Sequence, residues 1–399
     1  MQVNARKRGW IARAAGALSV ARQASATTAA LRATVAEFRR PTRSRSHDEH
    51  LTAAVAWLCR AQDACSDGGV SYGYDLRDGR WLPAYPETTG YIIPSLLEYS
   101  ARPECPQVTR EELRRRSTAL ARWLTTIQME SGAIPCGTVA THPKVATVFN
   151  TGQVLEGWCR AWSEAPDPAI GNAIERAARW LISVQDSDGC WRKGLSPLTP
   201  DTPATYNVRT AAALHDAGVL LAERAWREAA SRNANWVLTQ QRTNGWFAHN
   251  CVSDHERPLT HAIGYTLEGL LRLGAATRNE RYVAAVETAT RRLTEGVEAD
   301  GFLSGRFDDE WRPVASWNCL TGASQLSLVW FRLASATGEA AYARTARSVL
   351  DFVCRTQIET GGIKGSYPVW GSYEPYRLPN WAAKFFADAL MACPDGMTA

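Results

Sequence analysis

Long apolar runs are absent from the 399-residue sequence, and this absence excludes a helix that spans a membrane. No stretch reaches the roughly 18 consecutive apolar residues that such a helix needs. The ten cysteines include no CxxC pair, and several of them lie within apolar helical patterns. Single cysteines of this kind indicate reduced, mostly buried thiols in a cytosolic protein. We therefore expect a cytoplasmic chain without disulfides.

Nucleic-acid motifs and a secretory leader are missing as well. After residue 47 the chain carries 35 basic and 39 acidic residues with no basic stripe, so nucleic acid is not an expected partner. Residues 1–47 hold ten Lys or Arg and one acid, Glu37. No secretory signal is expected there, because Arg13 interrupts the short apolar stretch and no small-residue cleavage site follows. We expect a solvated or loosely helical basic extension; the alternative is peripheral contact with a membrane surface or an anionic polymer.

A short phrase recurs along the chain: Trp, then Gln five positions later, then a Gly-containing turn. It reads WLCRAQDACSDGG from Trp57, WLTTIQMESGA from Trp123, WLISVQDSDGCW from Trp180 and WVLTQQRTNGW from Trp236, with a looser copy, FVCRTQIETGG, from Phe352. Recurrence at intervals of roughly 55 to 65 residues is typical of an array of supersecondary units. We expect the Trp to pack between neighbouring outer helices and the Gln to satisfy backbone groups at a helix end.

Each repeat combines an amphipathic helix ending in this phrase, a Gly-rich loop and a second helix that is apolar around most of its circumference. Helices of the second kind belong inside a larger assembly. Six outer helices around six inner ones predict an all-α fold, an (α/α)6 toroid of six helical hairpins over residues 48–395, preceded by the basic N-terminal extension of residues 1–47. The fifth unit has lost the Trp and Gln but keeps its length and its Gly-containing loop. Strands are expected to be few and confined to the longer loops.

Polar residues cluster where the inner helices begin. Because every such loop runs from the end of an outer helix to the start of an inner one, all six open on the same rim of the toroid. The residues expected to converge there are Tyr85, Glu87, Asn150, Thr151, Gln153, Tyr206, Asn207, Arg209, His261, Tyr265, Asn318, Thr321 and Asn380. Single members are ordinary N-cap candidates. Together they predict a polar cleft, and the helix N-termini that point into it favour an anionic ligand.

The loops add aromatic and ionisable side chains to this rim. They include Tyr72, Tyr74, Trp81, His142, Lys144, Trp246, His249, Asn250, Arg306, Asp308, Asp309, Trp311, Lys364, Tyr367, Trp370, Tyr373 and Tyr376. Apolar ring faces beside hydrogen-bonding groups are what a sugar-binding groove needs. The alternative for any single aromatic residue is packing between loops.

Several of these segments carry a family resemblance. AYPETTGYIIPSLL, VFNTGQVLEGW, PLTHAIGYTLEGLL, ASWNCLTGASQLSLVW and IKGSYPVWGSYEPYRLPNWAAKFFADAL resemble motifs of bacterial toroid proteins from exopolysaccharide gene clusters, which are described as having prenyltransferase or squalene-cyclase-like repeats. The resemblance runs from about residue 50 to residue 392 and touches all six units. It implies the toroid, which is also the fold of six-hairpin glycosidases, and a link to bacterial surface polysaccharide. It does not define the reaction.

Two other toroid chemistries lack their residues here. Terpene cyclisation is disfavoured because the chain has neither DxDD nor DDxxD; DSDG and RFDDEW match neither pattern. A zinc toroid that resembles a protein prenyltransferase or a lanthipeptide cyclase needs converging Cys and His ligands. Cys319 lies near the rim but has no such companions, and we interpret it as a buried thiol. We expect no metal and no cofactor.

The favoured hypothesis is an enzyme that abstracts a proton next to the carboxylate of an acidic sugar, as a polysaccharide lyase or C5-epimerase does. His261 or Tyr265, spaced i, i+4 on one helix face, is the expected base, and Tyr376 or His249 the acid that returns the proton. The substrate-binding residues are expected to be Asn150, Gln153, Tyr206, Arg209, Trp246, Asn318, Lys364, Trp370 and Asn380.

Two alternatives remain open. A glycoside hydrolase of the six-hairpin type needs two carboxyl groups separated by roughly 5 Å for retention or about 6.5 to 9.5 Å for inversion. Glu87 with Asp308 or Asp309 are the candidates for that pair. A non-catalytic glycan-binding or scaffold subunit would keep the aromatic residues without a placed base.

Overall fold

Helical hairpins make up most of the chain. The computed structural model describes residues 28–37, 45–197 and 202–394. The outer helices are α2 (His47–Asp63), α4 (Gln107–Ile127), α6 (Pro168–Ser183), α8 (Arg224–Thr239), α10 (Glu280–Glu295) and α12 (Ala340–Cys354). The inner helices are α3 (Pro86–Ala101), α5 (Val148–Glu164), α7 (Val208–Leu220), α9 (Thr260–Thr277), α11 (Leu320–Thr337) and α13 (Asn380–Ala392). A 3-10 turn, Thr205–Asn207, leads into α7.

Burial separates the two sets of helices as their sequences predict. The outer helix α4 buries Leu113, Leu120 and Leu124 on one face, while the inner helix α9 is buried almost continuously from Thr260 to Leu271. Each inner helix packs against its neighbours in chain order, and α13 packs against α2 and α3. The last hairpin therefore meets the first, and the ring is closed. The predicted (α/α)6 toroid is confirmed.

The glutamine of the recurring phrase joins neighbouring units. Gln185 Nε2 donates to the carbonyl of Gly189 in its own loop at 3.1 Å and to the carbonyl of Ala229 on the next outer helix at 3.0 Å. Gln128 and Gln241 make the same two bonds. The equivalent bond from Gln357 reaches back to the carbonyl of His50 and closes the ring. The Gln amide satisfies backbone carbonyls as expected, but these carbonyls lie in the loop and within the next outer helix, not at a helix end.

The indoles of the phrase lie differently from the expectation. Trp57 lies against Gly362, and Trp123 lies against Gly69, each in the loop of the preceding unit. Trp57 Nε1 also donates to Asn380 Oδ1 at 2.8 Å, at the start of an inner helix. The expectation that the indoles pack between outer helices is therefore wrong for these two, which anchor rim loops instead.

Strands are short and occur in the connecting loops, as expected. The strands are β1 (Gly73–Asp75), β2 (Arg80–Trp81), β3 (Ile134–Pro135), β4 (Ala146–Thr147), β5 (Asn318–Cys319), β6 (Ser366–Tyr367) and β7 (Arg377–Pro379). They form the antiparallel sets β2-β1-β7, β3-β4 and β5-β6. In the first set Tyr74 is opposite Leu378, so the loops of the first and sixth units are joined at the rim.

A further helix, α1 (Thr28–Ala36), belongs to the basic extension. Ala30 of α1 packs with Val369 and Tyr376 of the sixth-unit loop. This part of the extension is therefore a helix seated on the toroid, while residues 1–27 and 38–44 lie outside the described residues. Across the described ranges, no helix combines the length and the apolar character that crossing a bilayer requires.

Candidate active site

Two ionisable residues occupy matching positions on opposite inner helices. Glu87 is the second residue of α3, and His261 is the second residue of α9. In a ring of six inner helices taken in chain order, α3 and α9 face each other. The two side chains are nearly buried, with exposed fractions of 8% and 7%. The rim therefore holds a carboxyl group and an imidazole on its two sides.

Burial controls the proton on Glu87. Tyr85 Oη donates to Glu87 Oε2 at 2.5 Å. Burial raises the pKa of Glu87 to about 7, although the hydrogen bond from Tyr85 and the charge of Arg209 act in the opposite direction. A carboxyl group with this pKa holds its proton part of the time near neutral pH and can act as a general acid or base.

His261 presents a free lone pair. Its Nδ1 lies 2.7 Å from Gln325 Oε1. Because an amide oxygen only accepts, Nδ1 carries the hydrogen and Nε2 keeps its lone pair. Burial lowers the pKa of His261 to about 4, against the opposing effect of this hydrogen bond, so the imidazole is neutral at pH 7. A neutral ring held in one tautomer is prepared to accept a proton at Nε2.

Aromatic rings line the space beside these two groups. Tyr72 stacks on Tyr85 with ring centroids 5.4 Å apart and meets Trp381 edge-on at 4.6 Å. Trp381 Nε1 donates to Tyr373 Oη at 2.7 Å, and the ring of Tyr373 lies 5.5 Å from that of His261. We call Tyr72, Tyr85, Tyr373 and Trp381 the aromatic wall. It links the side of Glu87 to the side of His261.

Tyr265, the alternative base, lies deeper. Its ring is 4.4 Å from that of His261 and 4.8 Å from that of Phe149, which also packs edge-on against Tyr206. Burial, with the charges of Tyr91 and Glu87, raises the pKa of Tyr265 well above its ordinary value. The phenol therefore stays protonated, and of the two predicted bases His261 is the one with an available lone pair.

A buried ion network forms the floor beneath the rim. The Arg209 side chain, which has no exposed surface, donates to Gln153 Oε1 at 2.6 Å, to Glu156 Oε2 at 2.9 Å and to Glu268 Oε2. The rings of Tyr91, Tyr265 and Phe385 lie 5.3 to 6.0 Å from its guanidinium carbon. Arg209 and Gln153 were expected to bind substrate. Arg209 is instead committed to this network, and Gln153 accepts from Arg209 while its Nε2 donates to the carbonyl of Phe149 at 3.3 Å.

Two of the predicted substrate-binding asparagines are also committed to the protein. Asn380 accepts from Trp57 Nε1 and donates to the carbonyl of Ser71 at 2.6 Å. Asn150 Oδ1 accepts from Thr147 Oγ1 at 2.9 Å. These side chains fix local backbone, and they have little left to offer a sugar.

The side chain of Asn318, unlike those of Asn380 and Asn150, is not committed to the protein. It has no exposed surface, and neither of its amide atoms has a hydrogen-bond partner within the described ranges. Thr321 Oγ1 and Gln325 Nε2 are also buried and unpartnered there. Thr321 and Gln325 are spaced i, i+4 on one face of α11, and Asn318 lies in β5 just before that helix. Such groups need a water or a ligand. Gln325 was missed from the sequence, although its spacing from Asn318 and Thr321 was a usable signal.

Asp308 and Asp309, the candidates for the second carboxylate, make contacts within and beside their own loop. Asp308 Oδ1 accepts from the backbone N–H groups of Glu310 and Arg312. Asp309 pairs with Arg242 at 2.7 Å, and both of these side chains are about half exposed. No hydrogen bond or ion pair between described residues joins either aspartate to Glu87.

A different carboxylate lies near Glu87. Glu374 Oε1 accepts from Tyr72 Oη at 2.6 Å, and its other oxygen lies 3.2 Å from Arg377. Tyr72 stacks on Tyr85, which in turn binds Glu87. The sequence did not single out Glu374, because its position depends on how the long sixth-unit loop folds back.

The remaining loop candidates divide into two groups. Trp246 is buried against Trp311, with ring centroids 5.0 Å apart, and His249 has a φ of 56° and lies 6.4 Å from His255. Trp246 therefore belongs to loop packing between the fourth and fifth units, whereas His249 is exposed.

Tyr376, Lys364 and Trp370 lie at the seat of α1. Tyr376 Oη is 3.2 Å from Thr34 Oγ1, Lys364 Nζ is 2.6 Å from Glu37 Oε1, and Trp370 packs beside the cluster around Ala30. The predicted returning acid Tyr376 is thus covered by the extension.

One group of described residues has the composition of a metal site. Ligand atoms of His47, Asp351 and Cys354 lie within 4.8 Å of one another, on the outer helices α2 and α12. His47 Nε2 is 2.9 Å from Asp351 Oδ1, and this hydrogen bond is the main cause that raises the pKa of His47 to about 11. The imidazole is therefore protonated at Nε2 and ion-paired with Asp351.

The sequence matches no protein-family model, and a search of curated proteins gives no match. Solved structures do match. An unsaturated glucuronyl hydrolase specific for heparin is 16% identical over 87% of this chain and 96% of its own, with a TM-score of 0.69. The unsaturated glucuronyl hydrolase of Bacillus sp. GL1, responsible for the degradation of glycosaminoglycan, is 14% identical over 88% and 98%, with a TM-score of 0.67. Cellobiose 2-epimerase from Bacillus thermoamylovorans is 10% identical over 86% and 98%, with a TM-score of 0.64. At these identities the likeness is one of fold: this chain has the (α/α)6 toroid that glycoside hydrolases and a sugar epimerase also have.

Proposed function

We propose that the protein is a carbohydrate-active enzyme in which Glu87 and His261 exchange protons with a sugar bound between them. The observation that carries this proposal is the pairing of a carboxyl group of pKa about 7 with a neutral imidazole whose Nε2 is free. Both are nearly buried at matching positions of facing helices. The fold likeness to sugar-processing toroids supports the substrate class.

The favoured reaction is proton abstraction next to the carboxylate of an acidic sugar. His261 Nε2 takes the proton from the ring carbon, and the electrons of that C–H bond pass toward the carboxylate. In a C5-epimerase, protonated Glu87 then returns a proton to the opposite face of the same carbon. In a lyase, the electrons form a double bond as the bond to the neighbouring glycosidic oxygen breaks, and Glu87 protonates that oxygen. Groups on facing helices suit both outcomes because they approach the sugar from two sides.

Binding would use the aromatic wall and the unpartnered polar groups. A pyranose ring presents apolar C–H faces that pack on indole and phenol rings. Sugar hydroxyls both donate and accept, and they would satisfy the amide of Asn318, Thr321 Oγ1 and Gln325 Nε2.

The biological setting is part of the proposal. Each of the ten cysteines is unpaired, which supports a reducing compartment such as the cytoplasm. The motif resemblance supports a role in making or processing bacterial surface polysaccharide.

Glycoside hydrolysis is the second candidate, and Glu374 is the observation that favours it. Glu87 would protonate the leaving oxygen, while Glu374, ion-paired with Arg377, would supply the second carboxylate. The contacts through Tyr72 and Tyr85 keep the two carboxyl groups on the same side of the rim.

One experiment separates these chemistries. Wild type, Glu87→Gln, His261→Ala and the exposed control Asp309→Asn are incubated in D2O with uronate-containing and neutral bacterial polysaccharides. Ultraviolet absorbance detects unsaturated ends, mass spectrometry detects deuterium, and a reducing-sugar assay detects cleavage. Unsaturation identifies a lyase, deuterium without cleavage an epimerase, and saturated new reducing ends a hydrolase.

We expect Asp309→Asn to match wild type and both active-site variants to lose turnover. If Glu87→Gln and His261→Ala turn over substrate at the wild-type rate, the assignment is wrong. Binding without turnover by wild type would favour the scaffold alternative.

A further inference from the structure

The contact that holds α1 on the rim has an unusual composition. Glu37, just after the helix, places Oε1 2.6 Å from Lys364 Nζ, and only 4% of the Glu37 side chain and 11% of the Lys364 side chain are exposed. Glu37 Oε2 is buried and has no hydrogen-bond partner within the described ranges. A buried carboxylate with one oxygen unsatisfied is a costly arrangement. It is a poor anchor for a fold whose six hairpins close without it.

The rest of the α1 contact is small. Thr34 Oγ1 meets Tyr376 Oη at 3.2 Å, and Ala30 fills a small cluster with Val369. The outward face exposes 45% of Leu31. A nine-residue helix is marginal by itself, so few interactions need to be lost before α1 leaves its seat.

Lys364 is a formed site for a carboxylate. Its ammonium lies 5.6 Å from the ring centroid of Tyr367, and it is nearly buried. Two other cations of the described residues have partners elsewhere in the toroid: Arg377 binds Asp75 and Glu374, and Arg209 lies in the floor network. Lys364 thus differs from these cations, because its partner comes from a separate segment that can leave.

Lys364 is linked to the proposed acid through a chain of contacts. The next residue, Gly365, lies against Glu374, which accepts from Tyr72. Tyr72 stacks on Tyr85, and Tyr85 binds Glu87. The loop segment that carries Lys364 is thus connected to the side of the rim where Glu87 lies.

We propose that Lys364 is a carboxylate subsite of the cleft, occupied by Glu37 when no ligand is bound, and that α1 is a strap displaced by an acidic sugar. The ligand class is a uronate, whose carboxylate takes the place of Glu37 on Lys364. The choice of a sugar rests on the proposed function, while the subsite itself rests on the Glu37–Lys364 contact.

The test measures binding to the full-length protein, with glucuronate and glucose as probes, by isothermal titration calorimetry. Glu37→Gln removes the competing charge and keeps the size of the side chain. It is expected to tighten glucuronate binding roughly tenfold, as removal of a competing state does when that state holds about nine-tenths of the molecules. Glucose binding is expected to stay unchanged. Lys364→Met is expected to reduce glucuronate affinity to that of glucose, with or without Glu37→Gln.

A matched pair on α1 tests the strap separately. Ala30→Asp places a charge in the seat, where Ala30 is 3% exposed, and is expected to tighten glucuronate binding as Glu37→Gln does. Leu31→Asp places the same charge on the exposed face of the same helix and is expected to change nothing.

Three results would overturn the proposal. The first is that wild type, Glu37→Gln and Lys364→Met bind glucuronate with equal affinity. The second is that Glu37→Gln tightens the binding of glucose as much as that of glucuronate. The third is that Glu37→Gln does not bind glucuronate. Because the readout is binding, it is independent of turnover. If Glu87→Gln stays active while the Lys364 variants behave as expected, the acid assignment fails and the subsite stands; the reverse pattern removes the subsite alone.

Discussion

Replacing Arg209 by Met should destabilise the protein substantially, and the structure sets the size of the effect. Removing one partner of a buried ion pair costs about 3–5 kcal/mol, because a charge is left buried without compensation. Arg209 has no exposed surface and is bound by Glu156 and Glu268. Each carboxylate keeps a second partner, Arg272 at 2.7 Å from Glu156 and Arg332 at 3.4 Å from Glu268. We therefore expect a loss near the lower limit, about 3 kcal/mol.

The pH dependence of this loss follows from Glu268. Burial opposes its ionisation, but positive charges, Arg209 first among them, hold the pKa of Glu268 well below its ordinary value. A lowered folded-state pKa contributes stability that is present above the unfolded-state pKa and is lost as the pH falls. In Arg209→Met the pKa of Glu268 rises, because burial is opposed by fewer positive charges. Protonation of Glu268 at low pH then removes the buried, uncompensated charge from the variant. The difference between wild type and Arg209→Met should be largest near pH 7 and should shrink below about pH 4.

Urea unfolding at pH 7 and pH 4, followed by circular dichroism, measures both quantities. Arg224→Met is the matched control, because Arg224 is 84% exposed in its ion pair with Glu228 and is expected to cost less than about 1 kcal/mol. The reasoning is refuted if Arg209→Met lies within about 1 kcal/mol of wild type, or if its loss does not depend on pH. A stable Arg209→Met variant that fails to bind sugar would restore Arg209 as a substrate ligand.

Three further predictions test other parts of the structure. If Glu87 acts as an acid, kcat/KM falls as the pH rises through about 7, and a pH–rate profile that keeps this limb in Glu87→Gln would contradict the assignment. Asn380→Ala leaves Trp57 Nε1 unpaired in the interior and should cost about 2 kcal/mol in thermal or urea unfolding; a neutral result would mean that water replaces the amide. Gly301→Ala should destabilise the protein by about 3 kcal/mol or more, because φ is 85° and a Cβ would lie 2.0 Å from a backbone oxygen of the next outer helix. Gly338→Ala, where φ is 75° and the surrounding space is open, should cost only about 1 kcal/mol. Equal losses of stability for the two variants in unfolding assays would refute this argument.

The toroid could be predicted because its sequence repeats its architecture. Gln185 and its equivalents recur at a fixed place relative to a loop glycine, and the bonds they make go to that glycine and to the neighbouring outer helix. The Trp of the same phrase was harder to interpret. Trp57 reaches an inner-helix asparagine, a contact between the first and sixth units that is far apart in sequence. Periodicity shows that such a residue is buried, but it does not show which partner it meets.

The sequence could predict which residues lie at the rim, but not which of them face or contact each other. Glu87 and His261 were both found because they follow rim loops, yet their relation depends on which helices face each other in the closed ring. Asn380 and Asn318 show the limit more sharply. Both begin or precede an inner helix and both are fully buried, but the first uses both of its amide atoms and the second uses neither. That difference depends on neighbours from other units.

A ligand has one direction of approach to the proposed acid and base, and this gives α1 its importance. Beneath Glu87 and His261, the rings of Tyr91, Tyr265 and Phe385 surround Arg209, and each of these four side chains is at most 3% exposed. The floor is therefore a packed core, and the toroid is not a tunnel for a threading chain. If a sugar binds between Glu87 and His261 as proposed, it approaches from the rim, where α1 packs on the sixth-unit loop. Because Lys364 of the sixth-unit loop is paired with Glu37, which directly follows α1, the proposed uronate would displace α1 as it binds Lys364, and recognition and displacement would be a single event.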